Sequence, residues 1–223
     1  MARELKSDRK GVAKGAAKQV VVFVHGYGAD GADLLGLADP LAPHLPDTAF
    51  YSPNAPEKCV GNPFGYQWFP IPWLDGSREE DAKTSMAASV EDLNAFLDKV
   101  LAEEGLTPDR LALVGFSQGT MMSLHVAPRR DAAIGALVGF SGRLIEPDTL
   151  AEEAKVKMPV LLLHGDQDDM VPFASLKEAA DTLVAAGFET YAFVMKGTGH
   201  GIAPDGLGQA VGFLRVQLGL EED

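Results

Sequence analysis

Gly115-Phe116-Ser117-Gln118-Gly119 lies between the apolar run Leu111-Ala112-Leu113-Val114 and a stretch from Thr120 to Val126 that lacks Gly and Pro. The first flank reads as a short buried strand and the second as a helix. Gly-x-Ser-x-Gly between a strand and a helix is the pattern of a nucleophile elbow. The chain must reverse so tightly that the serine takes a strained backbone conformation. A side chain two residues to either side would collide there, and glycine at both flanks removes that collision. The Ser117 hydroxyl is then expected to project from the sheet edge at the positive end of the following helix.

Composition bounds what surrounds this motif. A chain of 223 residues, 46% of them apolar, suits one α/β domain with a sizeable core. No apolar run approaches the roughly 20 residues that span a bilayer, and the N-terminus has no apolar signal-like segment. The single cysteine, Cys59, cannot form an intrachain disulfide and fits a reducing compartment, so a soluble, cytoplasmic protein is expected. The net charge is −13, yet residues 1–19 hold six Lys/Arg against Glu4 and Asp8, leaving the remainder near −17. Such an acidic body repels nucleic acid and anionic membranes and favours neutral substrates. Residues 1–18 are expected to be a basic, flexible arm, and residues 19–223 the folded domain.

In chain order, Gln19 to Val24 is a continuous β-branched run, the sign of a strand buried on both faces, and it ends in the glycine-rich loop His25-Gly26-Tyr27-Gly28. A helix is expected from about Ala32 to Leu41, then a strand at Thr48 to Tyr51. From about residue 57 to 77 the chain is rich in Pro and aromatics, including Trp68 and Trp73, which bars a long helix or central strand. It reads as a flap forming a wall or partial lid over a pocket. Met86, Val90, Leu93, Leu97 and Val100 mark an amphipathic helix within Ala82 to Glu104, stopped by Gly105. Strands follow at Ala136 to Phe140, Val160 to Leu163 and Thr190 to Met195, with helices at about Phe173 to Ala186 and around Leu207 to Leu218. Strands alternating with helices predict one α/β domain with a mostly parallel sheet.

In such a sheet, ligands bind beyond the carboxyl ends of the strands. Ser117, the acidic loop Asp166-Gln167-Asp168-Asp169, His200 and the His25-Gly26-Tyr27-Gly28 loop all fall at such ends. A serine hydroxyl is too weakly acidic to attack unaided, so a histidine must take its proton and an aspartate must orient that histidine. His200 fits the first role, while Asp166, Asp168 and Asp169 all have the chemistry for the second. His25, His44, His125 and His164 show no metal-ligand spacing, and Asp30 and Asp33 read as loop or helix-cap residues, so no metal or cofactor is expected.

From about Gln19 to Gly219 the chain resembles the phospholipase/carboxylesterase branch of the α/β hydrolases, which includes acyl-protein thioesterases and small bacterial carboxylesterases. The resemblance rests on the glycine loop at His25, the elbow with Gln118 after the serine, the segment His164-Gly165-Asp166-Gln167-Asp168-Asp169-Met170-Val171-Pro172, and Gly199-His200-Gly201. It implies an α/β-hydrolase fold with helices on both faces of the sheet, no separate cap domain, and the triad Ser117, Asp168 and His200. It implies oxyanion donors in the backbone N–H groups of Tyr27 and Gln118. An apolar pocket of Trp68, Phe69, Phe116, Met170 and Trp73 is expected from position. The implied activity is hydrolysis of short- to medium-chain carboxylic esters through an acyl-enzyme. The rival is an acyl-protein or acyl-thioester hydrolase or lysophospholipase. More remote is a non-catalytic binding module on the same fold. A small-molecule ester is the expected partner, and a homodimer is expected on family habit alone.

Overall fold

The computed structural model describes residues 2–220; Met1 and residues 221–223, the ends of the expected arm and domain, lie outside the described residues. Among the described residues nine strands follow in order: β1 Ser7–Gly11, β2 Gln19–Val24, β3 Thr48–Pro53, β4 Glu57–Lys58, β5 Tyr66–Gln67, β6 Leu111–Phe116, β7 Ala136–Phe140, β8 Val160–Gly165 and β9 Thr190–Met195. The helices are α1 Gly31–Leu35, α2 Ala38–Leu41, α3 Pro72–Asp75, α4 Glu79–Glu104, α5 Gln118–Val126, α6 Leu150–Glu153, α7 Ala174–Ala185 and α8 Pro204–Gln217. Seven strands form one sheet in the order β1-β3-β2-β6-β7-β8-β9, parallel except for β1, while β4 and β5 pair in a separate hairpin.

The two-residue period of a strand sorts the core into two layers. Along β2, Val20, Val22 and Val24 face the side covered by α4, α5 and α7, while Val21 and Phe23 face α1, α2 and α8. Burial on both faces explains why these strands read as unbroken apolar runs. The long helix α4 packs Leu93, Phe96, Leu97, Val100 and Leu101 onto the first layer. Each of those side chains contributes about 1.5–3 kcal/mol on burial. It ends at Gly105, which takes a φ of 69° and turns the chain out of the helix. The helix expected from Ala32 to Leu41 is two short ones, because the chain tightens into i,i+3 bonds at Gly36 and Leu37.

The expected flexible arm is corrected. Ser7–Gly11 pairs antiparallel with β3 and closes one edge of the sheet. Charge drives this: the basic segment lies on the acidic body. Arg9 Nε donates to Glu104 Oε1 at 2.8 Å, Lys10 Nζ pairs with Asp39, Lys14 with Glu103, and Arg3 with the buried Asp92. Glu104 is the centre of the cluster, since it also accepts from the Tyr51 hydroxyl at 2.6 Å and from the Gly15 N–H at 2.9 Å. Burial opposes its charge, but the hydrogen bonds from Arg9, Tyr51 and Gly15 outweigh burial and hold its pKa below the ordinary carboxylate value. The Tyr51 phenol is pushed up to about 12 by burial and by the same carboxylate.

Removing one partner of such a pair leaves a charge without compensation. Glu104→Ala should lower the unfolding free energy by about 3 kcal/mol, the low end of the range because Arg9 keeps some solvent contact. Because folding lowers the Glu104 pKa, the wild-type advantage is complete above the ordinary carboxylate range and is lost as pH falls through the lowered value. Urea denaturation of both proteins at neutral and acidic pH measures it.

Candidate active site

The site is built where β6, β8 and β9 end. Ser117 sits between β6 and α5 with φ 54° and ψ −117°, a positive φ that costs a non-glycine residue about 1–3 kcal/mol. Its N–H donates to the Phe140 carbonyl at 2.9 Å, and its own carbonyl accepts from the Met121 N–H at 3.1 Å, so strand and helix both hold the turn. A Cβ on Gly115 would lie 2.6 Å from the Thr120 backbone N, and one on Gly119 would run into the Val24 carbonyl. The flanking glycines are therefore required by backbone packing.

His200, in the loop after β9, places Nε2 3.0 Å from Ser117 Oγ and Nδ1 2.8 Å from Asp168 Oδ2. The ring of Phe116 lies against His200 with centroids 5.0 Å apart. Asp168 is buried, and its Oδ1 accepts from the N–H groups of Met170 and Val171, each at 2.9 Å. Burial disfavours its charge, yet the His200 contact and those two backbone donors hold its pKa below the ordinary carboxylate value. Of its neighbours, Asp166 accepts from the Gly197 N–H at 2.7 Å and braces the loop, while Asp169 is exposed. His164, buried four residues earlier, brings Nε2 3.2 Å from Asp168 Oδ2 and 3.0 Å from the Val171 carbonyl.

The glycine loop closes the other side. A Cβ on Gly26 would lie 3.2 Å from the Ser117 Cβ, so the main chain here passes directly beside the serine. The Tyr27 N–H follows Gly26 in this loop, and the Gln118 N–H is the first of α5. Among the described residues, neither N–H has a backbone or side-chain acceptor within the protein. His25 is fully buried and accepts from the Ala55 N–H through Nε2, which puts its hydrogen on Nδ1, directed to the Gly26 carbonyl. Burial lowers its pKa and keeps it neutral, a loop-shaping residue. Asp30 caps α1 by accepting from the Asp33 N–H at 2.9 Å. Among the described residues no cluster of His, Cys, Asp and Glu has the arrangement of a metal site.

Next to Met170 and Val171, whose N–H groups hold Asp168, lies a cavity of about 300 Å³, mostly apolar but with Glu79, Lys83, Arg143 and Glu146 also in its lining. Phe69, Trp73 and Met170 line it, together with Met86, Met121 and Ile145. Trp68 does not. It is buried in the first core layer, its Nε1 donating to the His25 carbonyl at 2.9 Å, because an indole N–H in the interior needs an acceptor and finds it under the glycine loop. Phe116 contacts His200 rather than lining the cavity. The aromatic segment is thus anchored in part: a short hairpin, a buried tryptophan and the helix α3. Sequence reasoning missed Met86, Met121 and Ile145, which lie on helix and loop surfaces whose facing depends on the tertiary fold. A larger cavity of about 610 Å³ lies at the opposite, N-terminal ends of the strands, among Lys18, Asp47, Thr107 and Arg110, far from Ser117.

The chain is similar to known proteins over most of its length. The chain is 31% identical over 219 residues to acyl-protein thioesterase 1 of Saccharomyces cerevisiae, covering 91% of this chain and 94% of the relative. It is 26% identical over 203 residues to esterase YpfH of Escherichia coli, covering 91% and 84%. The crystal structure of esterase PE8 superposes with a TM-score of 0.91 at 42% identity, covering 97% of this chain and all of that one. The Phospholipase/Carboxylesterase family matches residues 12–218, and with the parallel sheet, the elbow and these relatives the chain belongs to that family of α/β hydrolases.

Proposed function

We propose that the protein is a serine carboxylesterase that hydrolyses short- to medium-chain carboxylic esters, with Ser117, His200 and Asp168 as its triad. The observation that carries the reading is the continuous hydrogen-bonded line from Ser117 Oγ through His200 to the buried Asp168 carboxylate, at 3.0 and 2.8 Å. In this mechanism Ser117 Oγ attacks the ester carbonyl carbon as His200 Nε2 takes its proton. The carbonyl oxygen becomes an oxyanion, stabilised by the N–H groups of Tyr27 and Gln118. The intermediate collapses, the C–O bond to the alcohol breaks, and His200 returns the proton to the leaving oxygen. Water then attacks the acyl-enzyme with His200 as base, and a second collapse frees the acid and the serine. The anionic Asp168 fixes the imidazole tautomer and stabilises the imidazolium.

The cavity supports the chain-length assignment. At about 300 Å³ it stands at the small end of ligand pockets, which run roughly 300–1,000 Å³. The yeast relative's name, acyl-protein thioesterase 1, supports a second reading, in which the same residues cleave a thioester. Among the described residues no helix is long and apolar enough to cross a membrane. The single, buried Cys59 is consistent with a reducing compartment, which supports the cytoplasm as the site of action.

Hydrolysis of p-nitrophenyl esters from acetate to palmitate, by wild type and Ser117→Ala, tests the proposal. Activity should peak at short or medium chains and fall at least about a thousandfold in the variant. A peak at palmitate would transfer the assignment to the thioesterase reading, and equal rates would remove Ser117 from the mechanism. Asp168→Asn should lower kcat by roughly 10³- to 10⁴-fold through loss of the correct histidine tautomer. Its folding should also respond less to acid. The lowered Asp168 pKa gives stability that is present above the carboxylate range and lost as pH falls through it, and the variant lacks that contribution. Denaturant titrations across the acidic range detect the difference.

A further inference from the structure

Tyr27 and Gln118 both use their side chains on one distant segment. The Tyr27 hydroxyl donates to Asp75 Oδ2 at 2.8 Å and accepts from the Gly61 N–H at 3.0 Å. Asp75 in turn accepts from the Ile71 N–H at 2.8 Å and the Ser77 N–H at 2.9 Å, which closes α3 on itself with Trp73 facing the cavity. The buried Gln118 carboxamide reaches the same segment several residues earlier. Its Oε1 accepts from the Trp68 N–H at 2.9 Å, and its Nε2 donates to the Phe69 carbonyl at 2.7 Å. The Trp68 indole N–H donates back to the His25 carbonyl, two residues before Tyr27, and the Ser89 hydroxyl on α4 donates to the Trp68 carbonyl.

We propose that the Tyr27 phenol and the Gln118 carboxamide are positioning groups that fasten the two oxyanion donors to the wall of the acyl cavity. This rests on the reading of the Tyr27 and Gln118 N–H groups as the donors. A pair of N–H groups stabilises a developing oxyanion only when both are held in place before reaction. A glycine-flanked loop has little stiffness of its own, and the first N–H of a helix has no intrahelical acceptor. Here each is tied by its side chain to a segment that also supplies Phe69 and Trp73 to the cavity, so the acyl-binding wall and the oxyanion site move as one body. Tyr27 remains a proton donor throughout, because burial, Cys59 and the Asp75 carboxylate raise its pKa well above the ordinary tyrosine value.

Tyr27→Phe and Gln118→Met keep both N–H groups and most of the side-chain volume but delete these bonds. Each should lower kcat for p-nitrophenyl butyrate by roughly 10- to 100-fold, as small misplacements at a reacting centre do. KM should stay within about twofold, because ground-state binding does not use the donors. The specific readout is the ratio of hydrolysis rates for p-nitrophenyl butyrate and its thiono analogue, whose C=S sulfur is a weak acceptor. Misplaced donors lose their advantage for oxygen, so the ratio should fall in both variants. It is measured on one preparation and does not depend on how much of a variant is folded. An unchanged ratio, with or without lower activity, overturns the proposal while leaving the triad intact. Ser117→Ala is run on the same substrates: full activity there overturns the underlying reading, and the proposal with it.

Discussion

The backbone reversal at Ser117 is the constraint on which the surrounding structure depends. A residue held at φ 54° between a central strand and a helix is unstable by itself, and the turn persists because both flanks are committed elsewhere. Residues Leu111–Val114 are locked between β2 and β7, and Met122, Leu124 and Val126 pack α5 into the first core layer. The close approach of β6 to α5, and of α5 to the end of β2, leaves no space for a Cβ at positions 115 or 119. Strain in the turn is thus offset by packing outside it, and the hydroxyl is presented at the N-terminal end of α5.

The aromatic segment is first of all a structural element. Trp68 is a core residue, and its indole and backbone make hydrogen bonds to β2's loop, to α5 and to α4. Residues beyond it therefore leave the core from a fixed point, which sets where Phe69 and Trp73 meet the cavity. At the exposed end of the segment, Phe64 and Trp73 are largely open to solvent.

Much of this was legible from residue patterns alone. The strands Ala136–Phe140 and Thr190–Met195 coincide with their expected limits, because β-branched and aromatic runs there end abruptly in Ser-Gly or Lys-Gly. The residues expected at strand ends converge because a parallel sheet puts every carboxyl end on one edge. What was not legible depends on distant partners. Ser7-Asp8-Arg9-Lys10-Gly11 has no apolar alternation, and its strand exists because β3 offers an open edge and Glu104 and Asp39 offer countercharges. Whether Trp68 faced the core or the pocket was decided by acceptors 43 and 50 positions away, His25 and Gln118. No local pattern encodes such a choice.

Three aspartates within four residues compete for the histidine, and their surroundings separate them by the direction each faces. Asp166 turns toward the β9 end and is used by the Gly197 N–H. Asp169 points to solvent, where a carboxylate would lose most of its pull on an imidazole to screening. Asp168 alone turns inward, and burial there would raise its pKa and neutralise it unless donors compensated. The chain supplies them from the turn itself: two N–H groups on Oδ1, with His164 and His200 both close to Oδ2. A carboxylate with both oxygens so engaged has a fixed orientation as well as a fixed charge, the two properties that the proposed triad requires of it. The acidic loop is therefore best understood as one inward-facing anion with its neighbours occupied, rather than as a store of interchangeable acids.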